Sequence, residues 1–239
     1  MEDWKQAAAL AKFELRNSKR AVIPLGAMLI VYAFLMIYAA PQLVETIFYD
    51  LFFLIFIGMA ASWAKPKEFQ LNKMRNGSWG MPYFLMLHQL PIRNEILIKN
   101  RYVVYYIYSI PAHTLFLFSM YVFSEEIRTI LTFPEYAAFT IIWLSFSIYW
   151  GALFPLADVG EVAKTSTVKM WIYTVLFLVI GVGAVVLLQQ FTGYGVVYSS
   201  MMLAKKWPLL SSVLSIAAAV VCTKLALRQA NKKMLKIDY

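Results

Sequence analysis

Cysteine is nearly absent from this chain. Cys222 stands alone, so no internal disulfide can form and a cysteine-rich metal site is excluded. Histidine is almost as scarce, with His88 and His113 only, which removes a histidine-rich metal centre. Charge is thin as well: Asp, Glu, Lys and Arg make up 15% of the 239 residues, against 61% hydrophobic residues. That is too little polar surface to enclose a soluble core of this size. No G-x-x-x-x-G-K-[ST] string occurs, so the chain has no P-loop with which to bind ATP. No internal repeat relates its two halves, which leaves an inverted-repeat carrier without support.

What charge there is leans positive, with 22 Lys and Arg against 13 Asp and Glu. In a soluble protein that excess suggests nucleic acid; in a chain this apolar it records membrane orientation, and no nucleic-acid partner is expected. Six apolar stretches reach about the 20 residues that a bilayer requires. They run over Ala21–Ala40, Leu43–Ala64, Tyr102–Phe123, Tyr136–Ala157, Met170–Gln190 and Leu209–Leu227. Only "PQLVE" separates the first two, which predicts a tight helical hairpin. Residues 1–20, 65–101, 158–169 and 224–239 together carry nineteen of the cations, and the opposite side carries Arg128, Lys205 and Lys206. The positive-inside rule then predicts cytoplasmic termini and a cytoplasmic loop after the second span. The first twenty residues are dominated by charge, so no cleavable signal is expected and targeting falls to the first span. The expected fold is an all-α membrane protein, residues 1–239 forming one transmembrane domain of six helices.

Ionisable residues are almost missing from the interior of these stretches, with Asp50, Asp158 and Lys224 near their boundaries. That argues against coupling to an ion gradient and for energy delivered from outside the chain. A membrane hydrolase is disfavoured too. "SEEIR" (124–128) and "FLMLH" (84–88) are expected on opposite faces of a hydrocarbon core about 30 Å thick, and cannot share a substrate. His113, beside Pro111, reads better as a packing residue at a kink than as a proton relay.

Three segments on the cation-rich side invite a role. The N-terminal "DWKQAAALAKFELRNSKR" has helical spacing, with Trp4, Ala8, Ala11 and Leu15 on one stripe and Lys5, Lys12, Arg16 and Lys19 on another. Such a helix lies along the inner leaflet and meets anionic lipid, or serves only as a basic flank that fixes topology. In "HQLPIRNEILIKNRYVVYY" (88–106), Leu90-Pro91 suits a helix start with proline at the first position. Ile92, Ile96 and Lys99 then share a stripe, and Glu95 and Lys99 form an i, i+4 pair. Continuous with a span, that helix either carries a push from a soluble partner into the membrane or merely anchors the third span. The loop "DVGEVAKTSTVK" (158–169) is a smaller partner contact or a plain helix connection.

This layout resembles the permease subunits of type-2 ABC exporters. Leu90-Pro91, Arg93, Glu95-Ile96 and Lys99 stand in the order of that family's coupling-helix motif, and Asn76-Gly77-Ser78 resembles its upstream turn. Ile98 departs from the small residue usual before the lysine, and "WGMPYF" lengthens the interval between glycine and proline. The resemblance implies an interfacial helix over 1–20, a coupling helix within 65–101 and an outer, partly re-entrant connection over 191–208. It implies that the chain lacks a cofactor of its own, that ABC ATPase subunits carry ATP-Mg on the cytoplasmic face, and that a second permease, the same or related, completes the path. Pro91, Ile92, Arg93, Glu95, Ile96 and Lys99 would contact the ATPase, with Asp158, Glu161 and Lys164 as a second contact. Gly181, Gly183 and Ala184 would let two permeases approach closely, or else pack within one subunit. The expected place is the bacterial plasma (inner) membrane, and the expected cargo apolar, lipid-like or peptide. A non-transporting assembly factor with the same cytoplasmic surface and an ion-coupled carrier remain the alternatives.

Overall fold

A computed structural model describes residues 2–17, 22–42, 47–63, 69, 72–73, 79–159 and 167–235. The helices are α1 (Glu2–Asn17), α2 (Val22–Tyr38), α3 (Ile47–Trp63), α4 (Pro82–His88), α5 (Asn94–Phe123), α6 (Glu125–Ile130), α7 (Phe133–Gly151), α8 (Leu153–Asp158), α9 (Thr167–Thr192), α10 (Val196–Lys206) and α11 (Pro208–Met234). Two short strands, β1 (Asn72–Lys73) and β2 (Trp79–Gly80), pair antiparallel just ahead of α4.

Among the described residues, four helices are long and apolar enough to cross a bilayer: Asn94–Phe123, Phe133–Asp158 (α7 with α8), Trp171–Thr192 and Pro208–Met234. The chain is an all-α membrane protein. In lipid every backbone donor and acceptor must be satisfied internally, which long apolar helices do turn by turn. The first two apolar stretches form shorter helices, Ile23–Tyr38 and Ile47–Met59. As 17-residue elements, α2 and α3 extend about 25 Å, less than a hydrocarbon core of about 30 Å. They pack on each other through Tyr32, whose ring lies 4.9 Å from Phe56 and 6.5 Å from Phe52.

The core lies where α3, α5 and α7 converge. Phe53 and Phe56 of α3 meet Phe116 of α5 at 5.7 and 4.4 Å, and Phe53 sits edge-on to Trp143 of α7 at 4.6 Å. These are ordinary aromatic packing distances, and the rings enclose a buried polar pair, His113 Nδ1 and Ser147 Oγ at 2.6 Å. A second apolar layer closes the end of the bundle that bears α4. There Met81, Phe84, Leu97, Tyr102, Ala230 and Met234 pack together, and Lys233 donates to the Leu156 carbonyl at 3.1 Å.

Beyond α9, Gly193 adopts φ +73°, a left-handed turn that favours glycine. The chain then forms α10, whose buried face of Val197, Met201 and Ala204 packs on α7 and α3. Asp50, at the start of α3 and fully buried, accepts the amides of Val196 and Val197 at 2.6 and 2.9 Å. Its carboxylate caps a helix from another part of the chain. A Cβ on Gly195 would meet that carboxylate and push it away from the two amides, so glycine here keeps the cap in place.

One sequence expectation needs correction. Pro91 does not start a helix: it lies in the bend after α4, where the Ile92 amide turns back to the Leu90 carbonyl at 2.7 Å, and α5 begins only at Asn94 with Arg93 at its N-cap. Proline does open a helix, but as Pro82 at the start of α4. The docked face of α1 shares only Ala11 with the apolar stripe of Trp4, Ala8, Ala11 and Leu15. Ala7, Ala11 and Glu14 are the buried residues, held against α5, while Trp4 and Ala8 are exposed. The Asn76-Gly77-Ser78 turn and Lys19 lie outside the described residues.

Candidate functional site

Where α1 docks on the first turns of α5, charged and polar side chains from distant parts of the chain converge. Small residues make the approach possible: Ala7 and Ala11 present no side chain beyond Cβ and are fully buried. Asn100 of α5 crosses the seam, donating from Nδ2 to the Ala7 carbonyl at 3.2 Å. Arg101, the next residue, turns its guanidinium onto Glu14. Nη1 reaches Oε1 at 3.2 Å, and Nη2 contacts Oε2 and also the Asn100 oxygen. Met81 Sδ at 3.5 Å and the Tyr83 ring at 5.6 Å complete the cage around the guanidinium. The side chains of Arg101 and Glu14 are 1% and 2% exposed. A buried pair this well enclosed fixes a register between two helices, because any slip strands a charge away from water.

The outer edge of the seam is electrostatically similar but wet. Asp3 accepts from Lys99 Nζ at 2.8 Å and from Arg93 Nη1 at 3.0 Å. Glu95 adds contacts to Arg93 and Lys99 at 3.6 Å each, the latter being the expected i, i+4 pair. Lys99 also lies 5.8 Å from the Trp4 ring centre. The hydrogen bond from Lys99 holds the Asp3 carboxyl below its ordinary value, against an opposing burial effect, with Arg93 adding to the lowering.

The residues singled out from sequence therefore divide. Pro91, Arg93 and Glu95 are exposed at the start of α5. Lys99 is only 20% exposed and already engaged by Asp3. Ile96 is buried in the chain's own interior, and Ile92 is half-buried against the α4 layer, so neither presents a free apolar anchor. Asp158, at the end of α8, is buried as well. Glu161 and Lys164 lie outside the described residues. Gly181 and Ala184 are exposed on α9 and Gly183 half-exposed; a Cβ added at Gly181 or Gly183 would meet nothing within 4 Å. Among the described residues, no packing within the chain explains those glycines. Nearly the whole of α9 is bare, with 6% of its apolar window buried.

Glu14, Asn100 and Asp3 were not among the residues the sequence nominated. The signal was Glu14 itself: an acid spaced seven and three residues from Ala7 and Ala11 shares their helix face, so the face is small and acidic rather than greasy. At the far end of α5, Glu125 and Glu126 open α6, while His88 ends α4 before α5 begins. The 30 residues of α5 separate them by about 45 Å. Comparison with known proteins returns no matching family model, no similar curated relative and no similar solved structure.

Proposed function

We propose that the chain is the permease subunit of an ATP-driven exporter of the type-2 ABC class. In this reading it crosses the bacterial plasma membrane six times, with α2 and α3 as a hairpin and both termini cytoplasmic. The observation that carries it is the continuity of α5. Arg93 and Glu95 stand exposed at the start of a single helix that runs unbroken from Asn94 to Phe123. Displacement imposed at that end reaches the opposite side of the membrane without a hinge loop to absorb it. The Leu90-Pro91, Arg93, Glu95-Ile96, Lys99 order adds the family likeness, and the nineteen cations on one side add the orientation.

An ABC ATPase carrying ATP-Mg docks on Pro91, Arg93 and Glu95, and its closure pushes α5. The bare face of α9 around Gly181, Gly183 and Ala184 meets a second permease, the same chain or a related one. Cargo is apolar, lipid-like or peptide, in keeping with spans almost free of ionisable residues.

The test is purification of the tagged chain from its own membrane, followed by reconstitution in vesicles. Co-purification of a P-loop ATPase, and ATP-dependent export, are expected. The double reversal Arg93→Glu with Glu95→Arg should leave ATP hydrolysis running while export stops. Full transport by the isolated chain would refute the proposal. Assembly with an ATPase but no transport under any condition would point instead to an assembly factor.

A further inference from the structure

A furrow runs along the seam between α2 and α5, and the groups at its mouth define what fits it. On the α2 side Gly26 contributes no side chain, and a Cβ there would meet nothing within 4 Å. On the α5 side the helix continues through Pro111, which has no amide hydrogen to donate, and Pro111 lines the hollow together with Ile107. The resulting hollow has a volume of about 570 Å³. Leu29 joins it to a second hollow that ends at Tyr38 and Phe123. From Leu25 to Tyr38 the furrow extends about 20 Å along α2. One leaflet of a bilayer contributes about 15 Å of hydrocarbon, so a full acyl chain fits lengthwise.

The mouth of the furrow is made by Leu15 of α1. Lys12, three residues earlier, neighbours Leu15 on the helix surface, and Arg16 follows it. Both cations are exposed. Neither forms an ion pair among the described residues, unlike Arg93, Lys99 and Arg101. Because α1 docks through Ala7, Ala11 and Glu14, Lys12 and Arg16 lie on its undocked side.

We infer that the α1–α2–α5 seam is a binding site for one anionic phospholipid, its phosphate on Lys12 and Arg16 and an acyl chain in the furrow past Gly26 and Pro111. In lipid the chain gains little from hydrophobicity, since tails surround the protein everywhere. Selection arises because a concave furrow offers a tail close contact on several sides, and because two long flexible cations reach the headgroup level while their stems lie on apolar surface. The site needs only that the protein be membrane-embedded. It stands or falls independently of the exporter reading.

The experiment uses the full chain purified in mild detergent, with native mass spectrometry and thermal shift as readouts. The probes are phosphatidylglycerol, phosphatidylethanolamine and soluble glycerol phosphate. One phosphatidylglycerol should stay bound at activation energies that strip phosphatidylethanolamine, and glycerol phosphate should not compete. Lys12→Glu with Arg16→Glu should reduce phosphatidylglycerol retention at least about fivefold, the direction set by the loss of both headgroup cations. Gly26→Leu, which occupies open space, should do the same without loss of folding; Leu115→Trp blocks the furrow from the α5 side should the first variant misfold. Loss with the charge reversal alone would mean surface adsorption and overturn the site. Loss with the furrow variants alone would mean a tail groove indifferent to headgroup, and would overturn the anionic assignment. Competition by glycerol phosphate would overturn the role of the tail.

Discussion

Replacing Glu14 by Ala should undock α1 from α5 while leaving the helices of the bundle intact. The carboxylate is the main counter-charge of a guanidinium that is 1% exposed. Without it, Arg101 keeps only the Asn100 oxygen, Met81 Sδ and the Tyr83 ring among the described residues. Removing one partner of a buried ion pair costs about 3–5 kcal/mol, because the survivor is left charged and dry. At about 1.4 kcal/mol per decade, the equilibrium for opening the seam should rise by roughly two to three and a half orders of magnitude. The undocked state lets Arg101 reach water, so the loss is local and not a collapse of the whole molecule.

Amide hydrogen exchange over residues 5–16 reads this directly, with α7 amides as an internal control. The double variant Glu14→Leu with Arg101→Met removes both charges and fills similar volume with apolar groups, so α1 protection should largely return. A double-mutant cycle would then show strong coupling between the two positions. A change of less than about twofold in the single variant, or additive behaviour in the double, would refute the reasoning: the Glu14–Arg101 pair would then not be what fastens α1 to α5.

Asp50→Ala should free the N-terminus of α10, leaving two amides without their acceptor, at a cost on the order of 2–3 kcal/mol; Gly195→Ala should act in the same direction by forcing the carboxylate away, and both are checked by thermal unfolding in detergent. The Asp3 contacts should depend on pH. Because its folded value is lowered below about 3.8, its contribution is present above that pH and lost as pH falls through the folded value. Exchange at residues 2–9 should therefore quicken on acidification into that range, and Asp3→Asn should abolish the dependence.

The long apolar runs were legible because lipid imposes a single demand, enough consecutive apolar residues to cross. All six stretches fall on helices among the described residues, four of them long and apolar enough to cross and the first two shorter, and α5 extends its stretch back to Asn94. The Glu95–Lys99 pair was legible for the opposite reason, being local and set by helix geometry alone. What failed was whatever depended on partners far along the chain. Pro91 carries a helix-start signal, yet α4 before it and the packing of Ile92 turn that residue into a bend. Asp50 looked like a boundary acid, since nothing in its neighbourhood names Val196 and Val197, 146 and 147 residues away. The docked face of α1 was not legible because a docking face is usually greasy, and this one uses alanine with a single buried acid.

These contacts give the two ends of the seam different mechanical characters. Near Arg101 the pair is dry and unscreened, so it changes state only by breaking outright. Near Arg93 the contacts are exposed, 68% for the Arg93 side chain and 54% for Glu95, and water and salt screen them. A soluble partner with a charged surface can exchange with Asp3 for Arg93 at little cost, and leave Glu14 and Arg101 untouched. The start of α5 is therefore loose where a partner would reach it and rigid about two turns further in. For the exporter proposal that ordering matters. A coupling element fastened rigidly at its tip would resist docking, whereas one loose along its length would lose the displacement before it entered the membrane.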